Sequence, residues 1–159
     1  MQLRQRLTPG FTLLLTAVLW LAIPSAPAAA PVTWQHDALD IETNSGKHHF
    51  TIELALSPAQ QMQGLMYRQS LAADAGMLFL YDQDQEILMW MKNTLLPLDM
   101  VFITADGHVA RVAERTVPQS LATISSGGPV RAVLEINAGT AARLHIAPGD
   151  KVDYKAFGP

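Results

Sequence analysis

The sequence predicts a mainly β protein with one or two helices, folded as a compact single-domain β-sandwich or partly closed β-barrel. Short apolar runs recur between turn signals at Asn44-Ser45-Gly46-Lys47, Asp106-Gly107 and Pro148-Gly149-Asp150. A single stretch, Ser57-Pro58-Ala59-Gln60, has the full chemistry of a helix start: Ser57 to cap, Pro58 for the first helical position, Gln60 to complete a capping box. Cysteine is absent, so stability comes from packing and not from disulfides or thiolate metal sites.

Residues 1–28 read as a secretory signal to be cleaved. Arg4 and Arg6 precede an uncharged apolar run from Phe11 to Ile23, and Ala26-Pro27-Ala28 supplies the small-x-small pattern of a cleavage site, with Ala29 as the new terminus. The run is too short for a comfortable membrane span of about 20 residues. The expected destination is the periplasm or the exterior, with no membrane span after cleavage. The mature chain then has nine Lys and Arg against fourteen Asp and Glu, a net charge of −5. That balance argues against a nucleic-acid partner.

Along the mature chain, residues 29–37 read as a linker, 38–155 as the single β-rich domain and 156–159 as a tail. Strands are expected at Leu39 to Thr43 and His48 to Ala55, and Met62, Leu65 and Met66 fall on one face of the helix after Ser57. Met77 to Tyr81, Ile87 to Lys92 and Leu98 to Thr104 follow as strands, and the Asp106-Gly107 hairpin leads into His108 to Thr116. A loop is expected from Pro118 to Pro129, then a strand from Arg131 to Ile136, a helical turn over Ala138 to Leu144 and a last strand from Lys151 to Lys155.

The chemistry concentrates in Trp90-Met91-Lys92-Asn93-Thr94 and Pro97-Leu98-Asp99, where polar groups sit among large apolar ones. A buried carboxylate needs partners, and those expected for Asp99 are Lys92, Arg68 or a set of backbone N–H donors. Glu135 shares a strand face with Arg131, Val133 and Asn137, which reads as a solvated outer face. Arg68 follows the helix and could fork to Asp99, Glu135 or an anion; Trp90 is expected in the core, with a stacking wall as the alternative; Asn93 and Thr94 are expected to satisfy the turn before Pro97.

Four motifs in order, Gln63-Gly64-Leu65-Met66-Tyr67-Arg68, Gly76-Met77-Leu78-Phe79, Trp90-Met91-Lys92-Asn93-Thr94 with Pro97-Leu98-Asp99, and Val133-Leu134-Glu135 with Ala138-Gly139, resemble the domain-of-unknown-function 192 family. Leu96, before Pro97, replaces the isoleucine of that pattern conservatively. The resemblance implies a compact β-rich domain, often exported, with one helix packed against it and no assigned activity.

The functional expectation is a small-ligand or cell-envelope-component binding or accessory module, with candidate ligand residues Arg68, Trp90, Lys92, Asn93, Thr94, Asp99 and Glu135. The alternative is a cell-envelope hydrolase using Asp99 and Glu135 as a carboxylate pair. A third reading is a copper(I) binder built on Met62, Met66, Met77, Met89, Met91 and Met100. The expectation is nevertheless no metal and no cofactor, because methionine is an adaptable packing residue and the five histidines lack metal spacing.

Overall fold

The computed structural model describes residues 32–158; the predicted signal lies outside them. Its elements are β1 (Gln35–Thr43), β2 (Gly46–Ala55), α1 (Pro58–Gln63), β3 (Ala75–Met89), β4 (Leu98–Ile103), β5 (Val109–Thr116), β6 (Ile124–Asn137), α2 (Thr140–Leu144) and β7 (Lys151–Asp153). One seven-stranded sheet runs in the order β5-β4-β6-β3-β2-β1-β7. Every pairing is antiparallel except β2 with β3, which the α1 crossover joins in parallel.

Of the two β architectures expected, the partly closed barrel is the one that forms. The sheet curls until its edges meet: the Val109 N–H donates to the Asp150 carbonyl (2.8 Å), the Val152 N–H donates to the Gly107 carbonyl (2.7 Å), and His108 bridges to Lys151. Alternation then sends one residue set inward. Leu39, Ile41, Phe50, Ile52, Leu54, Leu78, Val101, Ile103, Leu134 and Ile136 fill the interior, with Ala141 and Ile146 from the α2 region, Val152 and Phe157. The opposite set, Met77, Phe79, Met100, Phe102 and Val133, forms a second apolar layer on the outside of the sheet. Leu65, Ile87 and Met91 cover it, with Trp34 packed alongside.

The helix start behaves as its residues require. The Gln60 N–H donates to Ser57 Oγ and the Ser57 N–H donates to Gln60 Oε1 (2.8 Å), a reciprocal capping box. α1 ends at Gln63, however, because Gly64 turns left-handed (φ 47°) against the Phe79 ring, where a Cβ would lie 2.9 Å from Cζ. Leu65 and Met66 therefore belong to the following turn and not to a helical face. Other boundaries differ for the same kind of reason. The strand expected at 77–81 and most of the one expected at 87–92 are one long β3, which bulges after Leu80, resumes pairing with β6 at Gln85 and ends at Met89, leaving Trp90 to Lys92 in the following turn. The expected loop from 118 to 129 ends early: Ser125 pairs with Leu88 inside β6. β1 begins at Gln35, within the stretch read as linker, and Phe157 of the expected tail packs into the interior.

Candidate functional site

Asp99 and Glu135 sit on adjacent strands but on opposite faces. The β4–β6 register pairs Asp99 with Ile136 and Met100 with Glu135, so Asp99 shares the inward face with Val101 and Ile103 while Glu135 shares the outward face with Val133. The carboxylate pair that a hydrolase of the alternative reading requires is therefore not assembled.

Asp99 is fully buried, and both its oxygens are occupied. The Arg115 N–H donates to Oδ1 (2.8 Å) and the Ala141 N–H donates to Oδ2 (2.9 Å). Arg115 is left-handed (φ 51°), and α2 has no side-chain cap of its own at Gly139. One carboxylate thus holds a strained backbone turn and supplies the acceptor that the short helix lacks. Of the three partner sets expected for Asp99, the backbone donors are the ones present. Arg68 instead forks onto Glu53 of β2 and lies 5.7 Å from the Trp34 ring centre, while Lys92 lies 5.3 Å from the Trp90 ring centre.

Glu135 is the opposite case. It is 4% exposed, which corrects the expectation of a solvated outer face: the turn after α1 and the far end of β3 cover that face. Its carboxyl makes no hydrogen bond or ion pair with the described residues, and it lines a cavity of about 110 Å³. Burial pushes its pKa up to about 8. Across the sheet the register places Glu53, Met77, Glu135 and Met100 side by side on β2, β3, β6 and β4. Glu53 has Arg68; Glu135 has only thioether side chains as lateral neighbours.

The walls come from two turns that hold each other. The Tyr67 N–H donates to the Asn93 carbonyl (2.9 Å), and both residues are left-handed, with φ of 63° and 55°. Asn93 Nδ2 points at Met66 Sδ (3.8 Å) and Tyr81 Oη at Met89 Sδ (3.8 Å). Burial pushes the Tyr81 phenol up to about 12, helped by the nearby Glu135 charge. Gln61 anchors α1 across the gap, its Nε2 donating to the Leu80 carbonyl (2.9 Å). Trp90 lines the mouth and is half exposed, which corrects its expected core position; Thr94 is buried in the wall, its Oγ1 donating to the Lys92 carbonyl (3.3 Å).

Of the expected ligand residues, the cavity gathers Trp90, Thr94 and Glu135, with Asn93 behind Met66 and Lys92 over the Trp90 ring; Arg68 and Asp99 are occupied elsewhere. Tyr81, Gln61 and the turn at Gly64 and Leu65 join the site without having been singled out for it, and Met62, Met66 and Met89 come to it from the set named for the copper(I) reading. The larger groove beside Asp37 and Asp40, about 300 Å³, differs in kind, because its carboxylates already have cations: Lys155 is 2.6 Å from Asp37 and Lys47 is 3.2 Å from Asp40.

Comparison with known proteins finds relatives but no activity. A family model described as "Uncharacterized ACR" matches residues 40–154. A crystal structure from Sinorhizobium meliloti 1021, described as a "putative transcription regulator", is 46% identical with a TM-score of 0.77, covering 80% of this chain and 100% of its own. A protein of unknown function from Novosphingobium aromaticivorans DSM 12444 is 42% identical with a TM-score of 0.75, covering 82% of this chain and 94% of its own. No curated protein matches the chain.

Proposed function

From a chain that belongs to the domain-of-unknown-function 192 family, which carries no assigned activity, we propose an exported single-domain binding module whose ligand presents a positive charge or a hydrogen-bond donor to Glu135. The observation that carries this reading is a carboxyl that is almost wholly buried, has no hydrogen-bond or ion-pair partner among the described residues, and opens onto a cavity. A ligand in that cavity can supply the charge-assisted partner that the described residues do not. Trp90, with the Lys92 ammonium over its ring, stands at the mouth, and the two interlocked left-handed turns hold the walls in place before the ligand arrives.

The test is a nuclear magnetic resonance titration of the purified protein with methylammonium, guanidinium and Ag(I). At least one should move the amide signals of residues 64–67 and 88–90 saturably, and Glu135→Gln should weaken that probe tenfold or more. If none of the three moves those signals, the cavity is not a ligand site.

Export rests on the Arg-flanked apolar run and on Ala26-Pro27-Ala28. N-terminal sequencing of the protein recovered from its native host should read from Ala29. An intact Met1 terminus in the membrane fraction would show instead that the segment is a retained anchor.

A further inference from the structure

We propose that the cavity over Glu135 takes a soft monovalent metal ion, Cu(I), ligated by the thioether sulfurs of Met62, Met66 and Met89 together with the Glu135 carboxylate. This deepens the ligand reading above and rests on it. The distribution of methionine is the starting point. Beyond Met1 the chain has six, and all six lie on the outer side of the sheet, the side that carries Glu135. Met77 and Met100 flank Glu135 in the cross-strand register, Met91 is buried in the same layer, and Met62, Met66 and Met89 line the cavity itself.

The barrel interior, built from leucine, isoleucine, valine, phenylalanine, alanine and Tyr154, contains none among the described residues. Packing plasticity suits either layer equally and gives no reason for this segregation. A soft ligand field around one carboxylate does. Thioethers select Cu(I) over hard cations, and three neutral sulfurs with one carboxylate make an uncharged complex of a monovalent ion, the Glu135 carboxyl giving up its proton to solvent as the ion binds. No group of three His, Cys, Asp or Glu side chains capable of holding a metal occurs among the described residues, so the donor set is not that of a zinc or calcium site. The sulfurs of Met66 and Met89 face polar groups, Asn93 Nδ2 and Tyr81 Oη, and are not sealed in hydrocarbon. Met62, 73% exposed at the mouth, is free to close over an ion that has entered.

Ag(I), which shares the soft chemistry and has no accessible redox step, is the probe. Silver nitrate is titrated in chloride-free buffer into the purified protein labelled with carbon-13 at the methionine methyls. One equivalent should saturate the signals of Met62, Met66 and Met89, and the volume-conserving double variant Met66→Leu/Met89→Leu should bind at least a hundredfold more weakly. Circular dichroism checks that the double variant is folded. If it is not, the single variant Met89→Leu replaces it, with at least a tenfold loss expected.

Absence of saturable one-to-one binding overturns the proposal, as does parental affinity in the folded variant. Signals that move only at Met77, Met91 or Met100 overturn it too. If methylammonium or guanidinium occupies the cavity and Ag(I) does not, the metal reading falls while the binding module stands. If no probe enters, both fall.

Discussion

Asp99→Ala should destabilise the protein by about 3–5 kcal/mol, because it removes the acceptor of two backbone N–H groups at once. The orphaned buried N–H of Ala141 costs roughly 1–3 kcal/mol, the part-buried N–H of Arg115 adds to it, and the left-handed turn at Arg115 loses the contact that holds it. Asp99→Asn isolates the hydrogen bonds from the volume. Its single carbonyl can accept from Arg115 or from Ala141, while its amide turns a donor toward the other, so a loss of about 2–3 kcal/mol is expected. Urea denaturation of the three proteins measures both. Unchanged midpoints would mean that Asp99 is not the link between β4, the end of β5 and α2.

Glu135→Gln should act in the other direction and in a pH-dependent way. The folded pKa, about 8, lies above the unfolded value of 4.5, so between these pH values the native state keeps a proton that the unfolded chain has released. The stability contributed by that proton is complete below about pH 4.5 and is lost as pH rises through 8. The gap corresponds to at most about 5 kcal/mol. Glutamine keeps the shape and cannot ionise. Parent and variant should therefore unfold at similar urea concentrations at pH 5, whereas at pH 9 the variant should be the more stable by about 3–5 kcal/mol. Identical pH profiles for the two would contradict a buried, proton-holding Glu135.

The two carboxylates also show how much was legible in the amino-acid order. Alternation placed each on its strand face: Glu135 lies with Val133 and away from Leu134 and Ile136, as period-2 reading expects. What alternation cannot reveal is which face another part of the chain will cover. The cover over Glu135 comes from residues 61–66 and 88–90, and the donors to Asp99 come from 115 and 141; neither is a local relation. Turns and caps were readable because their chemistry closes within four residues, as at Ser57 with Gln60 and at Asp106-Gly107. The middle of β3 was not. Asp82 to Glu86 is exposed and polar, so it reads as a loop, yet ladder pairing with β6 resumes at Gln85. The Ser-Ser-Gly-Gly run at the start of β6 misleads in the same way, since bulged ladders tolerate turn residues, and Ser126, buried there, accepts from the Ile87 N–H.

The candidate site was half legible for related reasons. Trp90, Asn93 and Thr94 stood out as polar or amphipathic groups in an apolar stretch, and they do form or support the cavity. The cations Arg68 and Lys92 drew attention by charge, yet Arg68 is taken by Glu53 and Lys92 by the Trp90 ring. The methionines read singly as packing. Only the fold separates the three buried in the outer layer from the three that line a cavity.

Glu135 decides between a ligand site and a solvated side chain, and its carboxyl can be watched directly. The carbon-13 signal of the Glu135 side-chain carboxyl, assigned by comparison with Glu135→Gln, should titrate with a midpoint near 8 in the ligand-free protein, and the midpoint should fall when a cation occupies the cavity. A midpoint near 4.5, unmoved by any cation, would describe a solvated carboxylate and contradict a ligand site built on Glu135.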